Sequence, residues 1–166
     1  MNAMPRIVVD ILGACAVLLL QTTLVHFVAI AGVVPDLVLL WIVGVAVRRG
    51  QTPATVTGFA LGLFLDLLGG PDGMLGLSSL AKTIGGFAAG YFYNPNKTLQ
   101  TLGGAQLLLI VLVASAAHNI IYFLVVLQGL GMSWGTMLFR YALPTTAYTI
   151  AVALLPMFAY ARKALA

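Results

Sequence analysis

Glutamate is absent from this chain, and the four acidic residues are all aspartate. With eight Lys and Arg they make up only 7% of the 166 residues, whereas 61% are apolar. A soluble domain carries roughly 25% charged residues, so too little polar surface is present to cover a water-facing fold, and the soluble globular class is excluded. Cysteine is nearly absent. The single Cys15 lies in an apolar run, which excludes an intrachain disulfide and a Cys-based metal site and reads as a buried thiol. The net charge of +4 comes with no basic cluster larger than Arg48 and Arg49, so a phosphate-backbone interface with nucleic acid is excluded.

Catalytic signatures are missing as well. There is no phosphate-binding Gly-rich loop, no Gly-x-Ser-x-Gly elbow, no paired carboxylates and no metal-ligand spacing. Asp66, Lys82 and His118 can be drawn as a catalytic set, but nothing in their spacing demands it. The chain reads as non-enzymatic, without metal or cofactor.

What the chain does have is long apolar runs separated by Gly, Pro and charged breaks. Judged against the roughly 20 residues that cross about 30 Å of hydrocarbon, they divide into six spans: 7–31, 35–47, 53–69, 74–93, 102–127 and 134–160. None alternates with period two, so a membrane β-barrel is excluded and the fold class is an all-α polytopic membrane protein. The first run is longer than a cleaved signal peptide carries and reads as a membrane helix. The second is short, covering only about 20 Å at about 1.5 Å per residue. It needs local thinning or snorkelling of Arg48 and Arg49 to cross, and a five-span chain is the alternative. The connecting loops are too short for a soluble domain, so residues 1–166 form a single integral membrane domain.

The Lys and Arg residues outside the spans alternate with the loops. Arg6, Arg48, Arg49, Lys97, Arg162 and Lys163 fall on one side, and the opposite loops carry no Lys or Arg but have Asp36 and Asp72 at their edge. This asymmetry places both termini in the cytoplasm.

Small residues spaced four apart mark faces where helix backbones approach. The third span carries Ala54, Gly58, Gly62, Asp66 and Gly70 on one stripe; the fourth carries Ser78, Lys82, Gly86 and Gly90, with Ala81, Gly85 and Ala89 beside it. Two such faces joined by a tight loop predict an antiparallel hairpin. A small-residue face can also pair two copies of the chain.

Charges inside a span are costly and face a partner, a cavity or a pathway. Asp66, Lys82 and Arg140, with His26, His118, Asn119 and Tyr122, fall in the outer half of the bundle, whereas the inner half is almost wholly apolar. Two readings of this layer stand side by side: an ion pair of Asp66 with Lys82 or Arg140 that orders the bundle, or an outward-opening pocket that receives a partner or ligand. The remaining candidates read as structural. Pro35 and Asp36 suit a first helical turn, and Arg6 and Asp10 form an i, i+4 pair. His118 is held by hydrogen bonds within the bundle, and Pro144 and Pro156 kink the last span.

One stretch matches a known family. Pro35-Asp36-Leu37-Val38-Leu39-Leu40, a basic break, Gly58-Phe59-Ala60-Leu61-Gly62-Leu63-Phe64-Leu65-Asp66, then Gly73-Met74-Leu75-Gly76 and a Gly-rich span ending Gly90-Tyr91 resemble the MreD family of rod shape-determining proteins. The resemblance implies an inner-membrane scaffold of the bacterial elongation machinery that binds the bitopic protein MreC and works with MreB, RodA and a class B penicillin-binding protein. It also implies a six-helix bundle similar to the S-components of energy-coupling-factor vitamin transporters, which makes a vitamin-binding S-component the alternative function. The Ala-x-x-x-Ala contact motif that such S-components carry in their first span does not occur in 7–31.

Overall fold

A computed structural model describes residues 6–30, 32–68, 75–130 and 133–165. Gly70, Asp72, Gly73, Met74 and the side chains of Arg6 and His26 lie outside the described residues. Those described are all-helical, with a single isolated bridge between Ile30 and Val33.

Helix α1 (Arg6–Leu19) continues into a π-helical turn at Leu20–Leu24 and a 3-10 turn at Val25–Val28. The hydroxyls of Thr22 and Thr23 donate back to the carbonyls of Leu18 and Leu19, which loosens the regular ladder at that point. Helix α2 (Leu37–Arg49) is joined to α3 (Gln51–Leu67) by Gly50 alone. The turn is that sharp because Gly50 adopts φ +92, where its missing Cβ also admits the Tyr93 ring. Helix α4 (Leu77–Gly90) leads through a 3-10 turn at Pro95–Lys97 and short α5 (Thr98–Leu102) into α6 (Ala105–Leu130). The last run is broken: α7 (Trp134–Met137), a π turn at Leu138–Ala142, and α8 (Leu143–Leu165). Pro144 explains the break, because it has no N–H for the carbonyl of Arg140. Pro156 lies inside α8.

Among the described residues, α3 and α4 form the predicted pair and pack more extensively than any other two helices. A Cβ on Gly58 would lie 2.4 Å from the Lys82 carbonyl oxygen, one on Gly62 2.5 Å from the Ser79 Cα, one on Gly86 2.6 Å from the Ala54 carbonyl oxygen and one on Gly90 2.3 Å from the Gln51 Cα. The pairs run in opposite directions along the two helices, so backbone meets backbone over the whole length of an antiparallel pair. The second stripe of α4 faces elsewhere: Gly85 lies against Leu39 of α2 and Ala114 of α6.

The core sits around α2. Val38, Leu39, Ile42, Val43, Ala46 and Val47 are buried against Ile110, Val111 and Ala114 of α6 and Ala153 of α8. By contrast, Leu12, Leu19, Phe59, Phe64, Leu109, Phe139 and Leu155 are exposed. An apolar exterior around an apolar core is the pattern of a bundle solvated by lipid rather than water. Cys15 belongs to that exterior and is exposed, not buried as the sequence reading expected.

The short second apolar run is preceded by a non-helical entry. Residues 33–36 enter the bundle as non-helical chain, Val33 bridged to Ile30, and α2 starts only at Leu37. Such backbone is tolerated at depth only where its polar groups find partners. They do: Gln21 Oε1 accepts from Leu37 N at 2.8 Å, Gln21 Nε2 donates to Pro35 O at 3.3 Å, and Asp36 N donates to Thr149 Oγ1 at 2.9 Å.

Candidate functional site

Asp36 is the N-cap of α2, its Oδ1 accepting from Leu39 N at 2.8 Å. Its other oxygen meets Lys82 Nζ at 2.5 Å. The lysine side chain is 4% exposed and the aspartate 15%. The pair joins α2 to α4 about 8 Å below the start of α4, deep enough that neither charge could stand there alone.

This overturns the expected pairing of Lys82 with Asp66. Asp66, 7% exposed, instead accepts three backbone N–H groups at the start of α4, from Gly76 and Ser79 at Oδ2 and from Ser78 at Oδ1, all at 3.0 Å. A helix begins with N–H groups that have no partner in the helix itself, and Gly76, at φ +94, offers no side chain to cap them. The carboxylate at the end of α3 supplies what Gly76 lacks, so the Gly58, Gly62, Asp66, Gly76 pattern is one device for closing the hairpin. Arg140 is also misplaced by the sequence reading. It lies exposed on the outer face, among exposed Leu138 and Phe139, because the π turn rotates it away from the interior. Asp10 pairs with Arg49 across α1 and α2, and the expected Arg6–Asp10 pair falls on a side chain outside the described residues.

Above the Asp36–Lys82 pair lies a cavity of about 560 Å³. Its lining combines expected residues (Lys82, His118, Asn119, Tyr122) with Ser78, which the sequence placed only on a packing stripe, and with Gln21, Thr22, Tyr141 and Thr145, which it did not flag. Asp66 and Arg140 do not line it. His118 stacks on Tyr122 with ring centroids 5.7 Å apart and shares a 3.3 Å hydrogen bond from Nδ1 to Asn119 Oδ1. Asn119 Nδ2 donates to Thr146 Oγ1 at 2.9 Å, fixing α6 to α8. Leu65, Leu68 and Phe123 complete an apolar wall. Both π turns feed this site, one with Gln21 and Thr22 and the other with Tyr141; such local register shifts often mark functional positions. The one sequence signal for Gln21 was a lone amide in an apolar run.

With its charge paired, the cavity offers hydrogen-bond donors and acceptors beside apolar surface. No group of three or more metal-ligating side chains occurs among the described residues. Compared with known protein families, residues 4–164 match the rod shape-determining protein MreD.

The chain belongs to the MreD family. That family is one of membrane proteins that determine rod shape, and it is not a known family of enzymes. Two helical stretches, Ala105–Val125 and Trp134–Lys163, are long and apolar enough to cross a bilayer by themselves. No curated protein matches the chain, and no solved structure does. Nothing in these comparisons supports the vitamin-transporter alternative.

Proposed function

We propose that this chain is a non-enzymatic scaffold subunit of the bacterial cell-elongation complex, and that its outer cavity receives a segment of the bitopic partner MreC. The observation that carries this reading is the buried Asp36–Lys82 pair at the floor of a cavity that sets a few hydrogen-bonding groups beside a largely apolar wall. A helix about 10 Å across fills about 560 Å³ in little more than one turn. The cavity therefore suits a short stretch of chain at the membrane edge, with an apolar side against Leu65 and Phe123 and a polar side against Asn119 and Tyr141.

In this reading the bundle crosses the inner membrane six times as a single domain, both termini are cytoplasmic, and the cavity opens to the outside. Arg48, Arg49 and Lys163 at the opposite end support that orientation. MreB, RodA and a class B penicillin-binding protein join through the assembled complex.

Tagged protein carrying Lys82→Glu, purified from native membranes in mild detergent, should lose MreC. Because that change also breaks the ion pair, Thr145→Phe is the companion variant: it fills the cavity and leaves Asp36 and Lys82 in place. Unchanged recovery of MreC with both folded variants would count against the pocket.

A further inference from the structure

A second concavity, which shares no lining residue with the first, begins at Leu20 and Leu37 and runs along α2 toward the other end of the bundle. It has a volume of about 260 Å³ and runs along one face of α2 from Leu37 past Gly44 to Arg48, walled by Val17 of α1 and by Pro156 and Tyr160 of α8. Its depth is set by the late start of α2. From Leu37 to Arg48 is about 16 Å at about 1.5 Å per residue, which equals half of a roughly 30 Å hydrocarbon core. The furrow thus covers one leaflet. A spanning helix would need twice that length.

Charge is placed at one end only. Arg48 donates from Nε to Gly44 O at 2.8 Å and lies over the Trp41 ring at 5.2 Å, which holds the guanidinium at the furrow mouth. Its terminal nitrogens meet no carboxylate among the described residues. Lys163 lies over the Tyr160 ring at 5.7 Å, beside the same mouth. An apolar slot one leaflet deep, ending in a planar guanidinium and an ammonium, is complementary to a phosphodiester attached to an acyl chain.

We infer that this furrow is a binding site for an anionic glycerophospholipid, with one acyl chain along α2 and the phosphate at Arg48 and Lys163. Placing that lipid in the cytoplasmic leaflet rests on the orientation proposed above; the headgroup preference does not. The site is separate from the cavity, so it can fail without affecting the partner-binding reading.

Native mass spectrometry of the full chain, released from nanodiscs of equal phosphatidylglycerol and phosphatidylcholine, tests it. The wild type should retain phosphatidylglycerol with a preference of roughly tenfold. The double variant Arg48→Gln/Lys163→Gln should lose the preference. Gly44→Leu, whose side chain projects into the furrow where only Arg48 Nη2 lies near at 3.5 Å, should lose the lipid while keeping both charges. Equal retention of the two lipids by the wild type, or an undiminished preference in either variant, would overturn the assignment.

Discussion

Lys82 Nζ and Asp36 Oδ2 are 2.5 Å apart although 46 positions separate the residues in sequence. The contact does two things at once. It neutralises both charges inside the bundle, and it positions the start of α2, since the same carboxylate caps that helix through Leu39 N.

Breaking the pair from one side should therefore be worse than removing it. Lys82→Met leaves a buried carboxylate without its partner and should cost about 3 to 5 kcal/mol. The double variant Asp36→Asn/Lys82→Met should cost clearly less than the sum of the two single changes. Thermal unfolding in detergent, run as a double-mutant cycle, reads the difference; strictly additive losses would show that the two side chains do not interact.

Asp66 should behave as a cap and not as part of the cavity. Asp66→Ala removes the acceptor of three backbone N–H groups and should lower stability by about 2 kcal/mol or more, while Asp66→Asn, which keeps one oxygen, should lose less. Partner recovery per folded molecule should stay constant in both. A folded Asp66→Asn protein that fails to bind its partner would place Asp66 in the binding site after all.

Arg140 offers a contrast. It is exposed on the outer face, so Arg140→Gln should change stability by less than about 0.5 kcal/mol. A loss comparable to that of Lys82→Met would mean that the guanidinium is held inside the bundle.

Glycines separate in the same way. Gly58→Ala forces a Cβ to within 2.4 Å of a backbone oxygen of α4, so the hairpin must open, at a cost of about 1 to 3 kcal/mol or more. Gly135→Ala, with nothing within 4 Å, should be neutral. Comparable melting temperatures for the two variants would contradict the close α3/α4 packing.

Much of the architecture was legible because the relevant signals are local. Apolar run length marks helices, and small residues four apart mark the α3/α4 contact at Gly58, Gly62, Gly86 and Gly90. The partners of the charges were not legible, because they depend on where helix ends sit in depth. Asp66 read as a buried charge in need of a cation, yet the N–H groups at the start of α4 satisfy it, and Gly76 shows in retrospect that the helix had no cap of its own. Pro35 and Asp36 read as residues of a first helical turn, whereas α2 begins at Leu37 and Asp36 is its N-cap. The position of Asp36 beside Lys82 follows from the non-helical entry at residues 33–36, which is stabilised by Gln21 and Thr149 from distant elements. Arg140 was misassigned because its place was counted at regular helical spacing from Trp134, and the π turn at Leu138–Ala142 shifts that register. His118, Asn119 and Tyr122 were found because they are the polar residues of an otherwise apolar run.

Photo-crosslinking from inside the cavity tests the central claim most directly. Benzoylphenylalanine at Phe123, on the cavity wall, should crosslink to a segment of MreC in native membranes, and the same probe at Leu155, on the exposed exterior, should not. A crosslink from Leu155 with none from Phe123 would contradict the account, because the partner would then dock on the outer face and leave the cavity unused.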